Sequence, residues 1–277
     1  MSIDAYDLPG DFVKPEGITM GPAGDFFSGS RTDGTIYRCE LTSEIAEIWS
    51  PGGTDGRTVV LGFALYADAQ LVVCGAESGT LYSYDLATRE LVSRRSVEGY
   101  LNDVWVIGDH AYATDSSQPV VWRFDLVNTE AAPEPIHLED TGPKVYPNGI
   151  VAFDDSVLLV ADPGEEVLLR VELDGSTQVL RTEWAADGLL LLGDLLIGVC
   201  NRGDVLETAE FFLSALRLSP GATSATLLPQ YDDPRFDTPT TVAFDGERLL
   251  VVNGQSAKGA AAAAPFQVIA VPIPWQR

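Results

Sequence analysis

Short apolar runs alternate with polar turns along the chain, and the same order of runs and turns can be read six times. Each unit holds an apolar run, an Asp/Gly turn, a second apolar run, another turn, and a run in which large and polar residues alternate. Runs of this last kind read TIYRCEL, TLYSYDL, VVWRFDL and VLLRVEL. Alternation with period two is typical of a β-strand with one buried face, whereas a helix repeats about every 3.6 residues. The pattern therefore predicts short strands throughout and no sustained helix.

The units return at the spacing that a four-stranded sheet needs. One residue at the start of each unit, here called a front position, recurs every 39 to 53 residues: Glu16, Leu61, Asn102, Asn148, Asp187 and Thr240. Six such units predict an all-β fold, a six-bladed β-propeller with four-stranded antiparallel blades, as one domain over residues 1–277. The sixth unit ends after three runs near Pro274, so the N-terminal segment before Pro15 is predicted to supply the missing outer strand and close the ring.

Charge and composition narrow the range of partners. The chain has 41 acidic and 17 basic residues and a net charge of −24, which disfavours binding to nucleic acid or to an anionic membrane surface. No apolar run reaches the roughly 20 residues of a membrane-spanning helix. The first ten residues, MSIDAYDLPG, lack the apolar core of a secretory signal. We therefore expect a cytoplasmic monomer or weak homodimer that acts on a small molecule.

The cysteines and histidines do not form recognisable catalytic or zinc-binding motifs. The three cysteines lie in or beside apolar runs and are predicted to be buried, reduced thiols: Cys39, Cys74 and Cys200. His110 and His137 do not occupy front positions, so a Ser-His-Asp triad has little support. The chain also lacks the G-x-S-x-G motif and a glycine-rich phosphate loop.

Four polar front positions predict a metal site. The first strand of each propeller blade lines the central axis, so residues that begin these strands converge on one mouth of the channel. Glu16, Asn102, Asn148 and Asp187 would bring two carboxylates and two amide oxygens together there. This set suits one hard divalent cation, Ca²⁺ in preference to Mg²⁺, Mn²⁺ or Zn²⁺. Alternatively, each residue only caps its own turn, but their equivalent repeat positions favour the metal site.

Four short motifs resemble signatures of the senescence marker protein (regucalcin)/gluconolactonase family of six-bladed propellers. They are PEGI at 15–18, LND at 101–103, PNGI at 147–150 and ADGL at 186–189, and through the repeats the resemblance spans the chain.

The resemblance implies a role for each front residue that matches a motif. A divalent cation would be held by Glu16, Asn148 and Asp187, with Asn102 beside it in contact with the substrate or its water. The activity implied is hydrolysis of a lactone or ester, with Asp187 as general base. The cation would polarise the carbonyl and lower the pKa of a bound water, so Asp187 and Asn102 are the predicted catalytic residues.

Residues beside the front positions indicate the substrate. Tyr100 lies where sugar-lactone members of the family usually have an arginine, and Leu61 is apolar at the second front position. These residues favour a flatter, more apolar or aromatic ligand than a polyhydroxylated sugar lactone, although Tyr100 could simply pack as a wall. Asp103, next to Asn102, is also predicted to contact the substrate.

The ends of the second strands return to the same mouth and supply further candidates: Arg31, Glu77, Asp115, Asp162, Arg202 and Asn253. Each could instead be an ordinary turn residue. Asp115 is predicted to add negative charge to the substrate site and Arg202 to bind an anion. The alanine-rich insert at 257–265 favours a disordered loop over a flap across the mouth.

Two other functions remain open. The first is a cyclase, an isomerase or a condensing enzyme of secondary metabolism on the same scaffold. The condensing enzyme strictosidine synthase has a similar fold and uses a glutamate in its last blade, but Thr240 and Thr241 lie there in this chain. The second is a non-catalytic, metal-stabilised binding propeller. Calcium dependence distinguishes them, because hydrolysis would need the ion for turnover and a binding propeller at most for stability.

Overall fold

The strands form six blades around a central axis. The computed structural model describes residues 3–138, 142–203 and 205–275. Within those residues, 24 strands form six antiparallel sheets of four strands each. The inner strands of neighbouring sheets contact each other all the way around, so the six sheets close into a ring. This confirms the predicted six-bladed propeller.

Each of the first three blades uses four consecutive strands, numbered outward from the axis. The first blade comprises β2 (Pro15–Met20), β3 (Asp25–Ser30), β4 (Ile36–Glu40) and β5 (Glu47–Ser50). The second comprises β6 (Phe63–Tyr66), β7 (Gln70–Cys74), β8 (Thr80–Asp85) and β9 (Leu91–Ser96). The third comprises β10 (Leu101–Ile107), β11 (His110–Asp115), β12 (Val120–Asp125) and β13 (Glu134–His137).

The last blade joins the two ends of the chain. The fourth blade comprises β14 (Ile150–Ala152), β15 (Val157–Asp162), β16 (Val167–Glu172) and β17 (Thr177–Thr182). The fifth comprises β18 (Ala186–Leu192), β19 (Leu195–Arg202), β20 (Glu210–Leu218) and β21 (Ala225–Leu227). The sixth comprises β22 (Pro239–Phe244), β23 (Leu249–Asn253), β24 (Phe266–Val271) and β1 (Ala5–Leu8). Ala5 pairs with Ile269 and Leu8 with Phe266, which confirms the predicted closure by the N-terminal strand.

The hydrophobic core is divided among the spaces between blades. Each of six apolar clusters in the described residues joins two neighbouring sheets. Between the sixth and first blades, for example, the rings of Tyr6 and Phe26 meet edge to face with centroids 5.3 Å apart. All three cysteines are buried and unpaired, as predicted. Because every sheet buries both faces against its neighbours, the blades stabilise one another.

Helical structure is limited to short 3₁₀ turns in the described parts of the chain: Thr54–Gly56, Leu206–Thr208, Pro220–Ala222 and Ser256–Ala261. Across those same residues, none of the helices has the length and hydropathy to span a membrane.

Glycine follows the front residue in four of the six units, and close packing around the axis explains it. An added Cβ on Gly149 would lie 2.3 Å from the carbonyl oxygen of Asp187 in the next blade, and one on Gly17 would lie 2.0 Å from the carbonyl oxygen of Leu61. Neither glycine has a positive φ. The glycine of the PNG motif is therefore required by the approach of the neighbouring strand, rather than by a tight turn.

Candidate functional site

Bulges at the start of the inner strands direct the front residues toward the axis. The pairing of β2 with β3 shifts between Pro15 and Ile18, and that of β10 with β11 shifts between Leu101 and Val104. β18 and β22 have the same irregularity around Asp187 and Thr240. A bulge inserts an extra residue and re-aims its side chain. The repeated bulge therefore places equivalent residues of different blades at one end of the channel.

All six front positions line one cavity at this mouth, with a volume of about 570 Å³: Glu16, Leu61, Asn102, Asn148, Asp187 and Thr240. The structure thus brings together the four predicted metal ligands. Of these, Asn102 and Asn148 are buried, whereas Glu16 and Asp187 are partly exposed.

Neighbouring blades hold Asn148 and Asp187 in place. The Asn148 amide nitrogen donates a hydrogen bond to Asp187 Oδ1 over 2.5 Å, and the Gly149 N–H donates to the Asp187 carbonyl over 2.9 Å. From the third blade, the Thr114 hydroxyl donates to the Asn148 carbonyl over 2.6 Å. Hydrogen bonds on both sides therefore fix the Asn148 backbone between its two neighbours.

Asn102 leaves one polar atom without a partner. Its amide nitrogen donates to Ser116 Oγ over 2.8 Å, and that hydroxyl in turn donates to the Pro147 carbonyl over 2.7 Å. The Asn102 Oδ1 atom is buried and accepts no hydrogen bond. A buried acceptor without a partner costs about 1–3 kcal/mol. The oxygen is thus positioned to accept a ligand.

The two carboxylates of the cavity are held in an environment that disfavours their charge. Burial raises the pKa of Glu16 well above its usual value, and the nearby charges of Asp187 and Asp103 raise it further, while Arg31 opposes the shift. Burial also raises the pKa of Asp187 to about 7, although Arg31 and the hydrogen bond from Asn148 lower it. A bound cation would offset this cost by favouring the ionised carboxylates.

The donor set fits a divalent cation only if amide oxygens contribute. In residues 3–138, 142–203 and 205–275, no cluster of three or more His, Cys, Asp or Glu side chains could hold a metal. Glu16 and Asp187 supply two carboxylates, and the unpaired Asn102 oxygen supplies a neutral donor. Calcium sites in proteins commonly combine carboxylate and amide oxygens, so the residues present fit the ion expected from the sequence.

The other predicted substrate residues lie in different surroundings. Tyr100 lines the cavity beside Leu61. Asp103 instead lines a second cavity of about 300 Å³, walled mostly by apolar residues of the inner strands. Arg202 faces a separate cleft, where it pairs with Glu210 at 3.5 Å.

Asp115 is fully buried and does not line the cavity. Its carboxylate accepts hydrogen bonds from the Tyr100 N–H at 2.9 Å, the Ser117 hydroxyl at 2.6 Å and the Trp122 indole at 3.0 Å. Burial opposes ionisation, but these hydrogen bonds, with one from Gln118, lower the pKa of Asp115 overall. Asp115 therefore positions the backbone of Tyr100.

Tyr146 lines the cavity as well and was missed by the sequence analysis. It lies two residues before Asn148, as Tyr100 lies two residues before Asn102. Its N–H donates to Asp162 over 3.0 Å, which repeats the contact between Tyr100 and Asp115. The shared spacing in GYLND and VYPNG was the signal that could have identified it.

The wall of the cavity on the side of the fifth and sixth blades includes Leu206, Phe211 and Ser256. The alanine-rich insert is ordered there, contrary to the disordered loop expected from its composition. Ser256–Ala261 forms a 3₁₀ helix, and the Gln255 amide donates to the carbonyls of Ala263 and Pro265 over 3.1 and 2.9 Å. Those hydrogen bonds hold the insert beside the mouth.

Comparison with known proteins supports the fold but assigns no family. No family model matches the chain, and no curated protein matches it. Among solved structures, virginiamycin B lyase from Staphylococcus aureus is 12% identical with a TM-score of 0.66, covering 97% of this chain and 98% of that one. Kuenenia stuttgartiensis hydrazine synthase is 15% identical with a TM-score of 0.65, covering 88% of this chain and 75% of that one. The WD40 repeats of RRP9 are 12% identical with a TM-score of 0.70, covering 98% of this chain and 99% of that one. Identities this low show the propeller fold alone.

Proposed function

We propose that this protein is a divalent-metal-dependent hydrolase of a lactone or ester, with its active site at the mouth lined by the front residues. The observation that carries the proposal is the buried Asn102 Oδ1 atom, which has no partner and belongs to the same cavity as Glu16, Asn148 and Asp187. A buried unpaired acceptor in the same cavity as two carboxylates with raised pKa values is unfavourable unless a cation satisfies all three. The resemblance of four motifs to the gluconolactonase family supports the same activity.

Glu16, Asn148, Asp187 and Asn102 would hold the cation, with Ca²⁺ preferred because all four supply oxygen. When bound, a divalent cation stabilises developing negative charge on a carbonyl oxygen and makes a water molecule more acidic. The Asn148 amide holds one oxygen of Asp187, which orients the carboxylate. Asp187 would accept the proton of the attacking water and return it to the alkoxide oxygen released when the acyl C–O bond breaks. Thr240 donates a hydrogen bond to the Glu16 carbonyl over 2.7 Å and so fixes the backbone on the opposite side.

Calorimetric titration of chelator-treated protein with Ca²⁺, followed by assay against aliphatic, aromatic and sugar lactones, tests the proposal. We expect one ion per chain and hydrolysis that stops when the ion is removed. Asp187→Asn should lower kcat by about 10²-fold or more, the usual contribution of a general base. Asp194→Asn is a matched control, since Asp194 is an exposed partner of Arg217 on the surface.

Two results would contradict the proposal in different ways. Absence of ion binding would refute the metal site. One bound ion without hydrolysis of any lactone or ester would refute the hydrolase and favour another reaction at the same mouth, such as a cyclisation.

A further inference from the structure

Arg31 brings a positive charge to the cavity that holds the carboxylates of Glu16 and Asp187, and Lys144 is also on its wall. It follows the last residue of β3, and the pairing of Ser30 with Pro15 places it at the same end of the first blade as Glu16. Its side chain lines the cavity. Nine ion pairs join basic and acidic side chains in the described residues, and none of them includes Arg31. Its guanidinium is therefore more than 4 Å from either carboxylate and available to a ligand.

Two tyrosines line the same cavity as this guanidinium, Tyr100 and Tyr146. The Arg31 side chain itself is exposed at the mouth. Asp115 and Asp162 hold the backbones of the two tyrosines. The guanidinium and the two phenol groups thus come from three blades and line the same cavity, and we name these three residues the Arg31 subsite.

The chemistry of the Arg31 subsite suits a carboxylate. A guanidinium presents N–H donors in a planar fork that matches the two oxygens of a carboxylate, and phenol hydroxyls add further donors. Aromatic rings and the nearby apolar Leu61 also fit the flat or apolar frame that carries such a group. A neutral polyhydroxylated ligand would offer the guanidinium no anionic group to pair with.

We propose that the substrate is a lactone or ester that also carries a free carboxylate, which binds to the Arg31 subsite while the scissile carbonyl faces Glu16, Asn148 and Asp187. This inference rests on the proposed function and adds the substrate class. The inference also predicts that binding of the cation and binding of the substrate carboxylate are coupled. Without a cation, two carboxylates in the cavity repel the anion, and with a cation their charge is balanced. Cation and carboxylate should therefore strengthen each other's binding by the same factor.

Binding of benzoate and its neutral analogue benzamide, measured by calorimetry with and without saturating Ca²⁺, tests the subsite independently of turnover. In the Ca²⁺-loaded wild type we expect tighter binding of benzoate than of benzamide. A hydrogen-bonded charge contributes about 1.5–3 kcal/mol, so Arg31→Gln should lower the affinity for benzoate roughly 10- to 100-fold. Arg31→Lys should recover part of it. Lys144→Gln is the control, because Lys144 also lines the cavity and is basic.

Kinetics with a matched pair of lactones provides the second arm. The ratio of kcat/KM for a γ-lactone bearing a carboxylate to that for its carboxamide analogue should exceed one in the wild type and approach one in Arg31→Gln, mainly through KM. Equal binding of benzoate and benzamide by the wild type, or an unchanged preference in Arg31→Gln, would overturn the inference. Loss of the preference only in Lys144→Gln would do the same. Arg31-dependent benzoate binding without any lactone hydrolysis would support the subsite and refute the hydrolase.

Discussion

Replacement of Asn102 by alanine should change the free energy of unfolding little without a bound cation and lower it clearly with one. Without the ion, the change removes the hydrogen bond to Ser116, which contributes about 0.5–1.5 kcal/mol, and also removes a buried unpaired oxygen that costs about 1–3 kcal/mol. Ser116 still donates to the Pro147 carbonyl, so no new unpaired donor is created. The two effects nearly cancel, and the ion-free variant should unfold at a free energy within about 1–2 kcal/mol of the wild type.

With the ion bound, the same substitution removes a ligand. A 10- to 100-fold loss of metal affinity is a modest expectation, since even outer-shell partners of metal ligands have effects of about this size. At saturating metal this corresponds to about 1.4–2.7 kcal/mol less stabilisation of the folded state. The stability of the variant should therefore depend far less on Ca²⁺ than that of the wild type.

Urea unfolding with chelator and with excess Ca²⁺ measures both numbers on the same samples. Ser83→Ala is the control, because Ser83 is buried in the second blade and donates to Gln70 over 2.7 Å, away from the mouth. It should lose a similar amount of stability in both conditions. If Asn102→Ala lost the same free energy with and without Ca²⁺, the unpaired oxygen would have no part in metal binding and the reasoning would fail.

Two substitutions and one labelling experiment test the packing and hydrogen bonding of the propeller. Gly149→Ala places a methyl group 2.3 Å from the Asp187 carbonyl oxygen and should lower the free energy of unfolding by about 1–3 kcal/mol in urea; unchanged stability would contradict the packing argument. Asp115→Asn should destabilise the protein by about 1–3 kcal/mol at neutral pH. The folded-state pKa of Asp115 lies below its unfolded value of about 3.9, so the ionised carboxylate stabilises the folded protein above pH 3.9. This stabilisation disappears as the pH falls through the folded-state pKa. In acid unfolding, the stabilities of the wild type and the variant should therefore converge at low pH. A constant difference at all pH values would refute that assignment. Burial raises the pKa of the thiols of Cys39, Cys74 and Cys200. A disulfide reagent should therefore label none of the three quickly in the native protein and all three in urea. Fast labelling of the native protein would contradict their buried placement.

Periodicity explains why the architecture and the front residues were accessible from sequence. The repeat fixes which residue starts each inner strand, and the equivalent bulges bring those residues to one mouth. The sixth unit lacked a fourth run, which was enough to predict that the segment before Pro15 completes it, and the strand Ala5–Leu8 does so. The apolar runs also identified the buried thiols, since each cysteine lies within or beside one of them.

The strand ends were harder to predict because one residue of register changes the direction of a side chain. Pairing with Pro15 makes Ser30 equivalent to Asp115, which pairs with Leu101. Arg31 lies one residue further along and lines the cavity, whereas Asp115 is turned inward to bind the Tyr100 backbone. From sequence alone, Arg31 and Asp115 were both predicted to lie at the mouth as ends of second strands.

Bulges caused the second difficulty. Alternation cannot be applied through a bulge, where pairing is interrupted between Leu101 and Val104. Asn102 therefore lines the mouth while Asp103 lines the cavity beyond it, and its carboxylate accepts hydrogen bonds from the N–H groups of Val104 and Ile150 at 2.9 and 3.2 Å. Side-chain contacts of this kind depend on the neighbouring blade and are not encoded in any single repeat.

Closure of the ring by β1 and β24 also has a consequence for biosynthesis. Ala5–Leu8 leaves the ribosome before every other described strand, yet its partner Phe266–Val271 is made after all five preceding blades. Throughout translation the early strand has no partner, and the growing arc exposes unpaired strand edges at which nascent chains can associate. Pairing across such a sequence separation is entropically costly and slow. The last step of folding is therefore also the step that protects the protein from aggregation, and cellular yield should depend more on how quickly these two strands meet than on the stability of any single blade.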